Sequence, residues 1–110
     1  MLKKSLLSKE CREISLAGVH HVVLRGFNYE RVFNDEQDRR KFLEILHQIT
    51  HPMDENGDPL PPYCTIYAYC LMTNHIHILL AEGTEQMSDT VERISEAYIN
   101  YYDNRYERQN

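Results

Sequence analysis

The sequence predicts an α+β domain, a ferredoxin-like β-α-β-β-α sandwich whose antiparallel sheet carries its helices on one face and lacks its last strand. Three observations carry this. Two β-rich stretches, Tyr63 to Leu71 and His75 to Ala81, are separated only by Met72-Thr73-Asn74, the spacing of a hairpin. A third β-rich stretch, Val19 to Arg25, stands well before them. Segments with apolar residues at helical spacing follow the first and the last of the three.

In chain order, residues 1–17 are polar with scattered leucines and read as a loosely held N-terminal arm, leaving 18–110 as the domain. Val-His-His-Val-Val-Leu-Arg, residues 19–25, is the first strand; Gly26 ends it and Phe27-Asn28-Tyr29-Glu30 reads as a turn. Asn34 or Asp35 caps the first helix, whose apolar face is Phe42, Leu43, Ile45, Leu46 and Ile49, and His51-Pro52 stops it. Asp54 to Pro62, with an Asn-Gly and three of the four prolines, is a long surface loop. The hairpin follows, and Glu82-Gly83-Thr84 ends it. Ser88 is the expected cap of a second helix, in which Val91, Ile94, Ala97, Tyr98, Tyr101 and Arg105 recur at spacings of three and four.

A chain of 110 residues holds one core, and 42% hydrophobic with 26% charged residues is ordinary for a globular domain. No apolar run is long enough to span a membrane, and Lys9-Glu10 interrupts any signal-peptide core, so a cytoplasmic protein is expected. Cys11, Cys64 and Cys70 are odd in number and form no C-x-x-C pair, which fits reduced thiols. The net charge of −5 argues against nucleic-acid binding, since phosphate contacts want a cationic surface, although Arg25, Arg31, Arg39, Arg40 and Lys41 cluster early and Arg105 and Arg108 lie near the end.

The chemistry concentrates in the last strand. Residues i and i+2 share a strand face, so His75, His77 and Leu79 point one way and Ile76, Ile78 and Leu80 the other. The Ile-Ile-Leu face belongs under the helices. The two imidazoles then stand on the open face, close enough to share a divalent ion and needing a further ligand to complete a site. A bare His-x-His also occurs by chance on solvated strands. Here the strand is otherwise apolar, and Asn74 precedes it at the turn, either making the turn or orienting His75 by a hydrogen bond. Of His20 and His21, one shares a face with Val23 and Arg25 and would lie near such an ion if that face is the open one; a packed or solvated histidine is the plainer account.

Tyr-Cys-Leu-Met-Thr-Asn-His-Ile-His-Ile-Leu-Leu, residues 69–80, resembles the signature strand of the HUH single-tyrosine transposases, in the branch of the REP-associated tyrosine transposases. His21 to Gly26 resembles that family's first strand, Val32 to Leu43 its first helix with the lead-in, and Ile94 to Arg105 the helix after the His-hydrophobe-His strand. The resemblance implies a ferredoxin-like sheet, often dimeric. It implies Mg²⁺ or Mn²⁺ held by His75 and His77 against a scissile phosphate, and single-stranded or hairpin DNA as substrate. It implies DNA nicking and strand transfer by an attacking tyrosine.

Thr73 stands where the family commonly has proline, and Phe27 where an asparagine often follows Arg-Gly, with Asn28 next. The family's nucleophilic tyrosine and a further metal ligand lie on a later helix, after a basic Gly-rich segment and the last strand; no matching block occurs here, so the chain reads as an N-terminal portion. Tyr98 and Tyr101 continue the apolar stripe of Val91 and Ile94, Tyr102 and Tyr106 lie toward the polar side, and none is carried over as nucleophile. Arg25, Asn28 and Arg31 are the DNA-contact candidates. Without a last strand, the first strand is expected to show an open edge that invites dimerisation. The readings left are a transposase acting on single-stranded DNA, a non-catalytic DNA-binding or regulatory remnant of one, and an unrelated ferredoxin-like interaction domain.

Overall fold

The structure, a computed structural model, describes residues 6–14 and 18–107. Strands β1 (Leu7–Glu13), β2 (Val19–Gly26), β3 (Cys64–Leu71) and β4 (His75–Glu82) alternate with helices α1 (Glu36–Thr50) and α2 (Met87–Arg105) in the order β1-β2-α1-β3-β4-α2. A 3₁₀ turn, Phe27–Tyr29, leads out of β2. The strands form one antiparallel sheet of spatial order β1-β2-β4-β3. From β2 onward this is the expected β-α-β-β-α plan.

The first segment differs from expectation. Where it is described, the supposed arm is strand β1, paired with β2 from Leu7↔Gly26 to Glu13↔His20. Main-chain hydrogen bonds hold an edge strand whatever its side chains, so its polarity concealed it. Leu6 and Leu7 are buried, and Lys9 reaches across to Glu92 on α2. Thus β1 fills the place beside β2 expected to be open, and the dimerisation argued from that edge loses its basis. Residues 1–5 and 15–17 of the expected arm, and Arg108, lie outside the described residues.

Asp35 is the cap of α1: its carboxylate accepts from the Asp38 amide at 3.1 Å, and the Asp38 carboxylate accepts from the Asn34 amide at 2.8 Å. The second helix starts earlier than Ser88. Gln86 is its N-cap and does not cap it with its side chain; the carboxylate of Glu82, at the end of β4, accepts the Met87 amide at 2.7 Å. A cap supplied from another element leaves no local sequence pattern.

Both helices cover one face of the sheet. Val22 and Leu24 of β2 and Ile76, Ile78 and Leu80 of β4 form a core with Phe42, Ile45, Leu46 and Ile49 of α1 and Val91, Ile94 and Tyr98 of α2. Phe33, Phe42 and Tyr98 meet edge to face with centroids 5.5–5.8 Å apart, a favoured aromatic geometry. Among the described residues no helix covers the other face of the sheet, and His75 and His77 stand there.

Candidate functional site

The alternation along β4 is as expected: Ile76, Ile78 and Leu80 are fully buried, while His75, His77 and Leu79 are half-buried on the opposite face. The His75 and His77 rings lie 5.0 Å apart at 80°. His75 Nδ1 is 2.7 Å from Asn74 Oδ1, so Asn74 both makes the turn and meets the ring. His77 Nδ1 is 2.9 Å from His21 Nε2, and those two rings lie edge to edge, 15° between planes, with centroids 5.1 Å apart. Register explains the contact: β2 runs antiparallel to β4 with Val23 opposite His77 and His21 opposite Leu79, which puts His21 diagonal to His77 on the same face. His20 faces away and lies 3.0 Å from the Gly18 carbonyl.

Beside these rings is a cleft of about 680 Å³ lined by Ser8, Arg25, Gly26, Asn28, Tyr29, Asn74, His75 and His77. Its wall is a backbone construction. The Gly26 amide donates to the Asn74 carbonyl at 2.8 Å, and the Phe27 amide to the Leu6 carbonyl at 2.7 Å. The chain then turns through Asn28 and Tyr29, both at positive φ (56° and 65°), a conformation rare for a ring-bearing side chain. The Tyr29 side chain is left 86% exposed at the cleft. Only glycine fits at position 26, because a Cβ there would lie 1.9 Å from the Glu30 carbonyl oxygen. Gly26→Ala is expected to cost about 1–3 kcal/mol as an overpacked site, seen as a lower urea midpoint. Amide shifts at Asn28 and Tyr29 should move with it; an unchanged midpoint would count against the tight turn.

Of the residues singled out in the sequence, Arg25, Asn28, Asn74, His75 and His77 meet in this cleft, and Arg31 does not line it. Arg31 is exposed beyond the turn, with its carbonyl accepting from the Tyr102 hydroxyl at 3.3 Å. The Arg25 guanidinium donates to Glu10 of β1 at 2.8 Å and holds that carboxyl below its ordinary value. A phosphate would therefore have to compete with Glu10. Two further cations of the early basic cluster are also paired, Arg39 with Glu36 and Lys41 with Glu44. Sequence reasoning missed Tyr29 and Ser8 and left His21 undecided; for His21, its shared alternation with Val23 and Arg25 was the available signal.

His77 favours its neutral form. Partial burial comes first, and the fields of His75, His21 and Arg25 add to it, so its pKa is lowered. A metal ligand must be neutral imidazole. Both Nδ1 atoms being engaged, each ring has Nε2 for an ion, a donor set that fits two positions of a divalent metal. Among the described residues no group of three or more His, Cys, Asp or Glu is arranged to hold an ion.

The tyrosines of α2 and its C-cap, Tyr106, point elsewhere. Tyr98 donates to the Val32 carbonyl, and burial first, then Asp38, raises its pKa. Tyr101 and Tyr106 donate to Asp38, each at 2.7 Å, and Tyr102 accepts from Asn34 at 2.9 Å. All four belong to the helix layer, across the sheet from the histidines. Among the described residues no helix is long and apolar enough to cross a membrane.

A family described as "Transposase IS200 like" matches residues 17–110, a span that contains His21, the Gly26 turn, Asn74, His75 and His77 and leaves out β1. Neither the curated proteins nor the solved structures contain a match to the chain. With nearly all of its length matched and its paired histidines on the open face of the sheet, the chain belongs to the IS200-like transposase family.

Proposed function

We propose that the cleft beside β4 takes single-stranded or hairpin DNA for transposase-type nicking and strand transfer, with Mg²⁺ or Mn²⁺ held by His75 and His77. The observation that carries this is the pair of rings on one face, each with Nδ1 engaged, which leaves two Nε2 atoms for one ion. When bound, the ion would polarise a phosphoryl oxygen and offset charge developing there. Asn74 orients His75; Arg25 and Asn28 contact the DNA backbone within the cleft, and Arg31 meets a phosphate on its flank. The unpaired cysteines support a reducing compartment such as the cytoplasm. A homodimer belongs to the reading too, and the outer edge of β3, with Tyr67 and Tyr69 exposed, is a surface for it.

A second reading is favoured by a specific observation. The hydroxyls of Tyr98, Tyr101 and Tyr102 on α2 and of Tyr106 just after it lie across the sheet from the histidines, and none lines the cleft. On that reading the chain binds DNA without cutting it. Fluorescence anisotropy with a labelled single-stranded oligonucleotide separates the two. Under the metal-site reading, Mn²⁺ tightens binding several-fold and a chelator reverses it; affinity indifferent to chelator supports the non-catalytic reading.

Tyr29 gives a further expectation. An exposed ring at the mouth of a DNA cleft is a stacking platform, and stacking contributes about 1–3 kcal/mol per base. Tyr29→Ala should weaken oligonucleotide binding by about 5- to 150-fold with an unchanged salt dependence. Arg25→Ala should instead flatten the salt dependence by about one phosphate contact. Anisotropy titrations at three salt concentrations read both, and equal affinity of Tyr29→Ala and wild type would remove Tyr29 from the interface.

A further inference from the structure

The His21–His77 contact has two possible directions, and they differ in consequence. A neutral imidazole carries one proton on one of its two nitrogens. If His77 Nδ1 accepted from His21 Nε2–H, the proton of His77 would sit on its own Nε2 and block that atom. If His77 Nδ1–H donates to His21 Nε2, the lone pair of His77 Nε2 is open. The neighbouring ring shows the second arrangement: His75 Nδ1 faces Asn74 Oδ1 at 2.7 Å, and an amide oxygen only accepts. For both rings to serve one ion, both must carry the proton on Nδ1.

We propose that His21 is a positioning residue that accepts the Nδ1 proton of His77 and so holds that ring with Nε2 open for a divalent ion, as Asn74 does for His75. The 2.9 Å contact supplies the acceptor, and the small angle between the ring planes, 15°, with centroids 5.1 Å apart, sets the two rings edge to edge, in line for an in-plane N–H···N hydrogen bond. His21 is not itself a ligand here: its Nε2 is engaged by His77, and it does not line the cleft. The inference rests on the metal-site reading of the cleft, but its first readout does not involve the metal.

The test uses the full chain labelled with ¹⁵N, without metal, at a pH where the imidazoles are neutral. Two-bond ¹H–¹⁵N correlations report which nitrogen of each ring is protonated. The expected result is the Nδ1–H form for His77 in wild type and a shift toward Nε2–H in His21→Ala. His21→Gln, whose amide oxygen can accept, should restore the Nδ1–H form. Mn²⁺ affinity, from the electron paramagnetic resonance signal of the free ion, should fall about 10- to 100-fold in His21→Ala and recover largely in His21→Gln. Thermal unfolding of each variant confirms that the sheet is intact. An Nε2–H form of His77 in wild type, or Mn²⁺ affinity unchanged in His21→Ala, would overturn the proposal. Failure of His21→Gln to restore affinity would also overturn it, by making His21 a ligand. Wild type with the expected tautomer and no Mn²⁺ affinity would instead overturn the reading of the cleft and leave the hydrogen bond standing.

Discussion

Asp38→Ala is expected to lose about 3–5 kcal/mol of stability, the usual cost of removing one partner from a buried ionic network. Asp38 is fully inaccessible and accepts from the Tyr101 and Tyr106 hydroxyls, the Asn34 amide and the Arg105 guanidinium. It ties the start of α1 to the end of α2, and its loss leaves the Tyr101 and Tyr106 hydroxyls and the Asn34 amide without this acceptor, while Arg105 keeps Asp35. Against a total of about 5–15 kcal/mol for a small domain, this approaches the threshold of folding. Urea denaturation measures it, and a loss under about 1 kcal/mol would show that water replaces the carboxylate. Asp38→Asn keeps the volume and one acceptor and should cost less.

The same network sets a pH dependence. Asp35 is lowered to about 2, chiefly by hydrogen bonds from Arg105 and then by the Asp38 amide. For Asp38, burial opposes ionisation, but hydrogen bonds from Tyr106, Asn34, Tyr101 and Arg105 outweigh it and its pKa is lowered. Carboxyls lowered in the folded state stabilise fully above their unfolded values, near 4. That stability is lost as pH falls toward 2. The urea midpoint of wild type should drop between pH 4 and 2, and Asp38→Ala should show a shallower drop.

What could be read from the sequence follows the range of the forces. The β4 faces were legible because alternation of Ile and Leu with His is a two-residue pattern with one buried side. The first helix was legible because Asp35 caps it locally and Phe42, Ile45, Leu46 and Ile49 repeat at helical spacing. The strand β1 was not, because its place depends on main-chain pairing with β2, and Lys9 finds its partner Glu92 only through the fold. The true cap of α2 was hidden for the same reason, since Glu82 belongs to the preceding strand. Arg25 was visible as a cation, but its engagement by Glu10 required β1 to be in place. Tyr29 was hidden differently: its positive φ, in a turn where the Glu30 carbonyl closes on Gly26, is a backbone feature that its residue type does not signal.

His77→Ala and His75→Ala are each expected to lower Mn²⁺ affinity by at least about 100-fold, since loss of even an orienting partner commonly costs 10- to 100-fold and a ligand contributes more. Asn74→Ala should fall within that smaller range, because it leaves both imidazoles in place. Neither histidine belongs to the buried core, so the unfolding free energies of the alanine variants, from urea denaturation, should stay within about 0.5 kcal/mol of wild type, and lost affinity cannot then be ascribed to unfolding. The ordering separates a metal site from a chance pair. Two surface imidazoles that bind Mn²⁺ weakly and independently would each lose about half of the sites and leave the affinity of the remainder unchanged. A shared ion loses affinity whichever ring is removed, and the double variant is then hardly worse than either single one. Non-additivity of that kind, read from free Mn²⁺ across the four proteins of the cycle, requires His75 and His77 to act on one ion. Additive losses would mean that these rings do not share one, and DNA binding by the cleft would then have to stand without metal.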